Sequence, residues 1–277
     1  MEQETLRKLQ LTELSILADF ADFCDENEIT YFLSGGTLLG AVRHKGFIPW
    51  DDDVDVMMPY SEYVKFLELA EKKLDKQKYF LQTADQDFGW YRNYARLRLN
   101  NTTMMKPDYR YTHMHQGIYI DIFPLIEVDP GADFKKRRRL IKYASFLLMD
   151  DFIKYNKAWT SRRKGLTFLI KLLLLTQRKS REKKQAEIMQ KLGNCTGKKK
   201  ISVVYTTLSK MCPKEIFEGE PQELYFENRF FKGCPDSVKY LESIYGNWQE
   251  LPPVEKRVGH DESLIIDFDK SYEHYQV

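Results

Sequence analysis

The sequence predicts an α+β fold: a mixed sheet backed by helices, with a basic helical stretch inserted before the C-terminal part. Three observations predict it. Residues 94–99 and 117–123 alternate side-chain character with the two-residue period of a strand. Residues 4–27 and 62–74 repeat apolar side chains at helical spacing. Between those two helical segments, a glycine pair opens a short helix and an acidic run leads into an apolar strand.

Taken in order, the first segment carries Leu6, Leu9, Leu14, Leu17, Phe20 and Phe23 on an approximately helical stripe. Tyr31-Phe32-Leu33 reads as a short strand that feeds Gly35-Gly36, and 37–43 reads as a short helix. If 51–58 is extended, Asp51, Asp53 and Asp55 share one face and Asp52 points away. Pro59 and Ser61 mark the start of the helix over 62–74. Residues 79–83 form a strand. In 94–99, Ala95, Leu97 and Leu99 face one way, and Arg96 and Arg98 the other. In 117–123, Ile118, Ile120 and Ile122 oppose Tyr119, Asp121 and Phe123, and Pro124 limits the ladder. From about 132 to 200 the chain is helical and basic, and 201–210 begins another short helix. Residues 224–231 are a strand or hairpin. Pro235-Asp236-Ser237 then opens a helix that Gly246 ends.

With 277 residues and 43% apolar content, the chain can fill one large core or a core with subdomains. The expected divisions are 1–130, 131–212 and 213–277. The four cysteines are widely spaced with no C-x-x-C pair, which indicates neither a zinc site nor a disulfide framework and suits a reducing cytoplasm. The acidic start Met1-Glu2-Gln3-Glu4 is unlike an export signal, and no run of 18 apolar residues exists to span a bilayer. A cytoplasmic protein, peripheral at the inner face of the membrane, is expected. Residues 134–200 hold 21 Lys/Arg against 4 Asp/Glu, leaving the remainder net negative. That asymmetry, with apolar residues interleaved, points the basic part toward an anionic membrane surface or a polyanionic acceptor. An ordinary helical subdomain with a solvated basic face is the competing reading. No nucleic-acid partner is expected.

The chemistry centres on residues 33–58. Gly35 and Gly36 allow close approach of a ligand to the backbone, and the helix that follows aims amide N–H groups at an anion. Carboxylates two apart on a strand, Asp53 and Asp55, converge on a hard cation such as Mg²⁺, with Mn²⁺ as a substitute. A glycine pair alone is usually a turn, and an acidic cluster alone a solvated loop. Their closeness and order favour phosphoryl or nucleotidyl transfer. Asp121, among isoleucines, is costly to bury unless it binds a metal or pairs. Ser34, Gly35, Gly36 and Thr37 would hold phosphate through amides and hydroxyls. Arg43 could grip phosphate in a bidentate manner. Arg98 would line an anionic cleft, and His115 would lie near the metal.

The run 33–40, with Arg43, Gly46 and Phe47-Ile48-Pro49-Trp50-Asp51-Asp52-Asp53-Val54-Asp55, resembles the signature of the LicD family. So do Gly117-Ile118-Tyr119-Ile120-Asp121-Ile122-Phe123-Pro124-Leu125 and the tail from Tyr245-Gly246 through Pro252-Pro253 to Arg257 and His260. That family contains phosphorylcholine transferases and relatives of the fukutin-related proteins. The resemblance implies a nucleotidyltransferase-like core in which Asp53, Asp55 and Asp121 hold Mg²⁺, Asp121 serving as third ligand or as general base. It implies CDP-choline as donor and a hydroxyl of a teichoic-acid or other glycan precursor as acceptor, with CMP released. Arg98 fits the family's basic strand better than Arg96. Arg257 would bind the leaving nucleotide, and His260 would contact phosphate or move a proton. Choline is a quaternary ammonium, which aromatic faces recognise, and Trp50 beside the acidic run is the leading candidate. Alternatives are an NTP-using nucleotidyltransferase that releases pyrophosphate, a transferase for another CDP-alcohol such as CDP-ribitol, or a non-catalytic membrane-surface protein with a degenerate core.

Overall fold

The computed structural model describes residues 1–205, 207–259 and 264–277. Helix α1 (Gln3–Glu26) buries Leu9, Ile16, Leu17, Phe20 and Cys24 along one stripe. The chain then runs through β1 (Phe32–Leu33) straight into α2 (Gly35–Arg43). A loop leads to β2 (Asp55–Pro59) and α3 (Tyr60–Lys73). Strands β3 (Tyr79–Gln82), β4 (Ala95–Leu99), β5 (Thr103–Met105) and β6 (Tyr119–Val128) follow. A helical run comes next: α4 (Ala132–Phe146), α5 (Asp150–Tyr155), α6 (Lys157–Arg162), α7 (Lys164–Leu174) and α8 (Arg178–Gly193). The last part holds β7 (Lys200–Val203), β8 (Cys212–Pro213), the hairpin of β9 (Gln222–Phe226) and β10 (Arg229–Gly233), then α9 (Ser237–Tyr245) and β11 (Ile265–Asp267).

Seven strands make one mixed sheet in the order β1-β2-β6-β4-β3, with β7 added to β6 and β8 to β7. The class is α+β, as the alternation and helical spacing predict. β2 and β6 run parallel, and the other pairs in this sheet are antiparallel. β6 is the central strand: β2 pairs along 121–125, β4 along 119–122 and β7 along 125–128.

Three local expectations are corrected. Pro124 does not limit β6. It stands between the end of the β4 ladder and the start of the β7 ladder, so its missing N–H removes no ladder bond there. Its carbonyl still accepts from Val204 N at 2.9 Å. Residues 201–203 are strand rather than helix, because β-branched Ile201 and Val203 are buried and pair with the end of β6. The acidic run is assigned as strand only from Asp55. Asp51 N donates back to Ile48 O at 2.9 Å and closes a turn over 48–51, while Val54 O accepts from Asp121 N at 2.9 Å just ahead of β2.

The main core lies between the sheet and α1, α2 and α3, with Leu17, Phe20, Leu33, Leu38, Val56, Phe66 and Ile120 fully or nearly fully buried. Each such aliphatic or phenylalanine side chain contributes about 1.5–3 kcal/mol on leaving water. Helices α4 and α8 share a second core with β6, where Ile126 and Val128 meet Ile141, Met189 and Leu192. Met149, Ile153 and Ile170 form a third cluster under α5 and α7. No helix among the described residues is long and apolar enough to cross a membrane.

Candidate active site

The site begins where β1 passes into α2. Ser34 N donates to Asp55 O at 2.9 Å, which ties the helix start to β2. Gly35 sits at φ +52, a conformation costly for a side chain, and a Cβ there would come 2.9 Å from Asp55 Oδ2. A Cβ on Gly36 would overlap the Asp51 carboxylate. The glycine pair thus leaves room for two carboxylates against the helix end. The first intrahelical bond runs from Leu38 N to Ser34 O at 3.0 Å. The amides of Gly35, Gly36 and Thr37 therefore have no intrahelical acceptor and lie at the positive end of α2, where anions are favoured. Thr37 Oγ1 accepts from Asp55 N at 2.9 Å and fixes the first residue of β2.

Parallel pairing of β2 with β6 sets Asp55 beside Asp121, and Asp121 N donates to Val54 O at 2.9 Å. On the other edge of β6, β4 sets Arg96 opposite Asp121. The guanidinium binds that carboxylate with both arms, Nε to Oδ1 at 2.5 Å and Nη2 to Oδ2 at 3.2 Å. The same guanidinium lies 3.6 Å from the Tyr119 ring centroid and 4.7 Å from that of Trp90. Burial, followed by the charges of Asp53, Asp121 and Asp51, pushes the Asp55 carboxyl well above the usual carboxylate range. Asp53, Asp121 and Asp51 are therefore near enough to oppose the ionisation of Asp55. Among the described residues, no three His, Cys, Asp or Glu side chains are gathered into a ready metal cage. Two cavities of about 730 and 720 Å³ lie between α3 and α8, the first also against β3, and neither is lined by Asp53, Asp55 or Asp121.

The LicD/FKTN/FKRP nucleotidyltransferase-domain family matches residues 28–168, which hold α2, β2, β4 and β6 with this cluster. A lipopolysaccharide cholinephosphotransferase LicD of Haemophilus influenzae is 30% identical over 270 residues, covering 94% of this chain and 97% of that protein. The chain belongs to the LicD family. Shorter matches reach other proteins. An uncharacterized protein of Rickettsia typhi is 37% identical over 62 residues, 22% of this chain and 20% of that protein. Mannosyltransferase regulator 4 of Saccharomyces cerevisiae is 30% identical over 128 residues, 43% of this chain and 10% of that protein.

In this LicD-family chain the other predicted site residues have mixed placements. Gly35 and Gly36 are at the helix end. Ser34 is fully buried, with its hydroxyl 3.5 Å from that of Tyr205, and the Thr37 hydroxyl is engaged by Asp55 N, so neither hydroxyl stands open as expected. Arg43 does not stand open for phosphate. Its Nη1 donates to Trp248 O at 2.6 Å and Glu250 O at 3.3 Å, and so holds the segment after α9. Arg98 is also corrected. It is buried, with Nε on Gln82 Oε1 at 2.6 Å and Nη1 on Gly117 O at 2.6 Å, and Arg96 is the cation that meets the acidic group. His115 is a structural peg and does not join the acidic cluster, against expectation. Its ring stacks on Phe80, Nδ1 accepts from Gly117 N, and Nε2 lies 3.0 Å from Asn100 Oδ1. Burial and the nearby Arg98 lower its pKa to about 3, which keeps it neutral. Trp50 borders the acidic loop, with the Arg257 guanidinium 5.5 Å from its ring centroid, so that face already accepts a cation. Arg257 Nε also donates to Pro252 O at 2.9 Å. His260 lies outside the described residues.

Glu13 was not anticipated. It is fully buried on α1, neither carboxyl oxygen has a hydrogen-bond partner, and burial with the charges of Asp53, Asp52, Asp51 and Asp55 pushes its carboxyl well above the usual range. One turn earlier, Gln10 Nε2 donates to Asp51 O at 3.0 Å, so this face of α1 underlies the acidic loop. The signal was legible: Glu13 falls between Leu9 and Ile16 on the apolar stripe, where a carboxylate has no structural reason to be.

Proposed function

We propose that the chain is a transferase that moves phosphocholine from CDP-choline to a hydroxyl of a surface-glycan precursor and releases CMP. The observation that carries this reading is the meeting of the α2 N-terminus with Asp55 and Asp121 on adjacent parallel strands. Family membership narrows the chemistry, and the full-length Haemophilus relative carries the cholinephosphotransferase name. That relative's name specifies lipopolysaccharide; teichoic-acid precursors offer the same acceptor chemistry, a sugar or polyol hydroxyl.

The donor set fits Mg²⁺ or Mn²⁺ in kind. Asp53, Asp55 and Asp121 would supply hard oxygens of the kind these cations take. Bound there, the ion would neutralise charge on the donor diphosphate. The protein's own groups do the rest. The α2 amides take phosphate oxygens, and the Trp50 face takes the quaternary ammonium, which exchanges places with Arg257. Arg257 is then available to the departing CMP. The acceptor hydroxyl attacks the choline-bearing phosphorus as the bond to CMP breaks, and its proton passes to a carboxylate of the cluster. Asp121 is held in place by Arg96 through both carboxylate oxygens.

The test is CMP release from CDP-choline with a glycan acceptor, with and without chelator. Asp53→Ala and Asp55→Ala should abolish release while far-UV circular dichroism stays unchanged. Full activity in both variants removes the mechanism. Pyrophosphate release from an NTP would replace the reading with nucleotidyl transfer. Turnover of CDP-ribitol in place of CDP-choline would keep the bond cleaved and change the donor. Calorimetry showing no binding of CDP-choline with Mg²⁺ would favour a binding protein with a degenerate core.

A further inference from the structure

Helix α7 leaves an apolar face uncovered. Phe168, Leu169, Leu172 and Leu175 are 62%, 62%, 49% and 81% exposed. At helical spacing they fall within an arc of about 120°. The opposite side is anchored: Ile170 is buried against Met149 and Ile153, with Leu166 and Leu174 at the edge of that cluster. The face is therefore presented by a fixed helix.

The sequence around it is of one sign. Residues 157–181 contain eight Lys/Arg and no Asp/Glu. Exposed Lys164 and Lys171 border one edge of the apolar arc, with Arg162 before α7 and Lys179 after it. Other cations of the basic region are engaged internally: Arg181 with Asp150 at 2.7 Å, Arg137 with Asp133 at 2.7 Å and Lys198 with Asp129 at 2.7 Å. The whole 134–200 stretch is thus not one membrane-facing surface. What remains is an apolar strip bordered by lysine and arginine, the pattern of a helix lying in an anionic lipid interface. Two copies packed through this face would set their cations against each other, which disfavours a second chain as the occupant.

We propose that α7 docks the protein on an anionic bilayer, with Phe168, Leu169, Leu172 and Leu175 entering the acyl boundary and Lys164 and Lys171 meeting lipid phosphates. The surface stands independently of the chemistry at Asp55. Its place in the fold is connected to that site, since Tyr91 and Phe152 beside α7 pack at 5.0 Å and Trp90 carries Arg96. On the transferase reading, docking brings the acidic cluster to a lipid-linked acceptor.

The experiment is flotation of the full chain with vesicles of equal parts phosphatidylglycerol and phosphatidylcholine, compared with phosphatidylcholine alone. Binding to the anionic vesicles should be at least about tenfold stronger and should fall with added salt. The pair Leu169→Gln/Leu172→Gln should lose about tenfold or more, and Lys164→Glu/Lys171→Glu should erase the preference for anionic lipid. Phe230→Gln, on the exposed β9–β10 hairpin, should bind as the parent chain does. Circular dichroism checks that each variant is folded. No flotation of the parent chain, or equal flotation by the Leu169→Gln/Leu172→Gln variant, overturns the proposal. Self-association abolished by that variant, without lipid binding, overturns it in favour of a second copy of the chain.

Discussion

The pair of Arg96 and Asp121 is the most informative place to perturb this protein. Arg96 makes two hydrogen bonds to Asp121 and lies against the rings of Tyr119 and Trp90. Both partners are largely shielded, with side-chain exposures of 15% and 10%. Replacing Arg96 with Met keeps much of the contact with the rings and removes the charge. Asp121 is then left beside Asp55, without its cation, in a place where carboxylates already repel. Removing one partner of a shielded pair costs about 3 kcal/mol. Asp121→Asn in the same background removes the orphaned charge, so the double variant should be destabilised by less than the sum of the singles. The coupling expected for contacting charges is about 2 kcal/mol. Urea unfolding of the parent, both singles and the double, followed by tryptophan fluorescence at one pH and salt concentration, measures it. A coupling below about 0.5 kcal/mol, or an Arg96→Met variant as stable as the parent, would refute the claim that Arg96 holds Asp121 and offsets the acidic cluster.

Other tests are simpler. Gly36→Ala should cut CMP release at least tenfold with little change in melting temperature, because its Cβ would displace the Asp51 carboxylate; unchanged kinetics would mean that Asp51 is not held where the contact places it. His115 gives a pH signature. Its folded pKa, about 3, lies below the unfolded value of about 6.5, so the unfolded chain takes up the proton first as pH falls. Stability should therefore fall below pH 6.5 by up to about 1.4 kcal/mol per unit, levelling near pH 3, and His115→Asn should flatten this part of the denaturation–pH curve. Asp150→Asn should destabilise the helical run by about 2–4 kcal/mol, since Arg178 and Arg181 both converge on that carboxylate; a protease-resistance assay across α5–α8 reads the loss. Glu13→Gln should stabilise the chain at neutral pH and leave it unchanged near pH 4, because the raised carboxyl pKa costs stability only where the unfolded chain has already lost that proton; equal effects at both pH values would contradict this.

Local pattern was enough to read most elements of this protein. The alternation in 94–99 and 117–123, the helical spacing of 4–27, the glycine pair and the Asp236–Gly246 helix with its cap each depend on neighbours within a few residues, and each formed as read. The errors came where partners distant in the chain decide. Pro124 is tolerated because one partner strand ends and another begins beside it, and Ile201 and Val203 form a strand because β6 still has a free edge there. Arg96 and Arg98 share a face by parity, yet cross-strand register gives one to Asp121 and the other to Gln82 and Gly117. Arg43 and His115 have suitable chemistry for a site but use their donors and acceptors on backbone and neighbours brought in by folding.

The sequence by itself determined the α+β class, the family, the glycine-opened helix and the acidic run beside it, because these are written in side-chain periodicity and in short contiguous spacing. Only the tertiary structure decided that Asp55 lies beside Asp121, that Arg96 clamps the latter, that Glu13 is buried near the acidic loop, and that α7 shows its leucines to the outside. Those are facts of strand register and helix packing, and register is set by the summed fit of the whole core rather than by any residue's immediate neighbours.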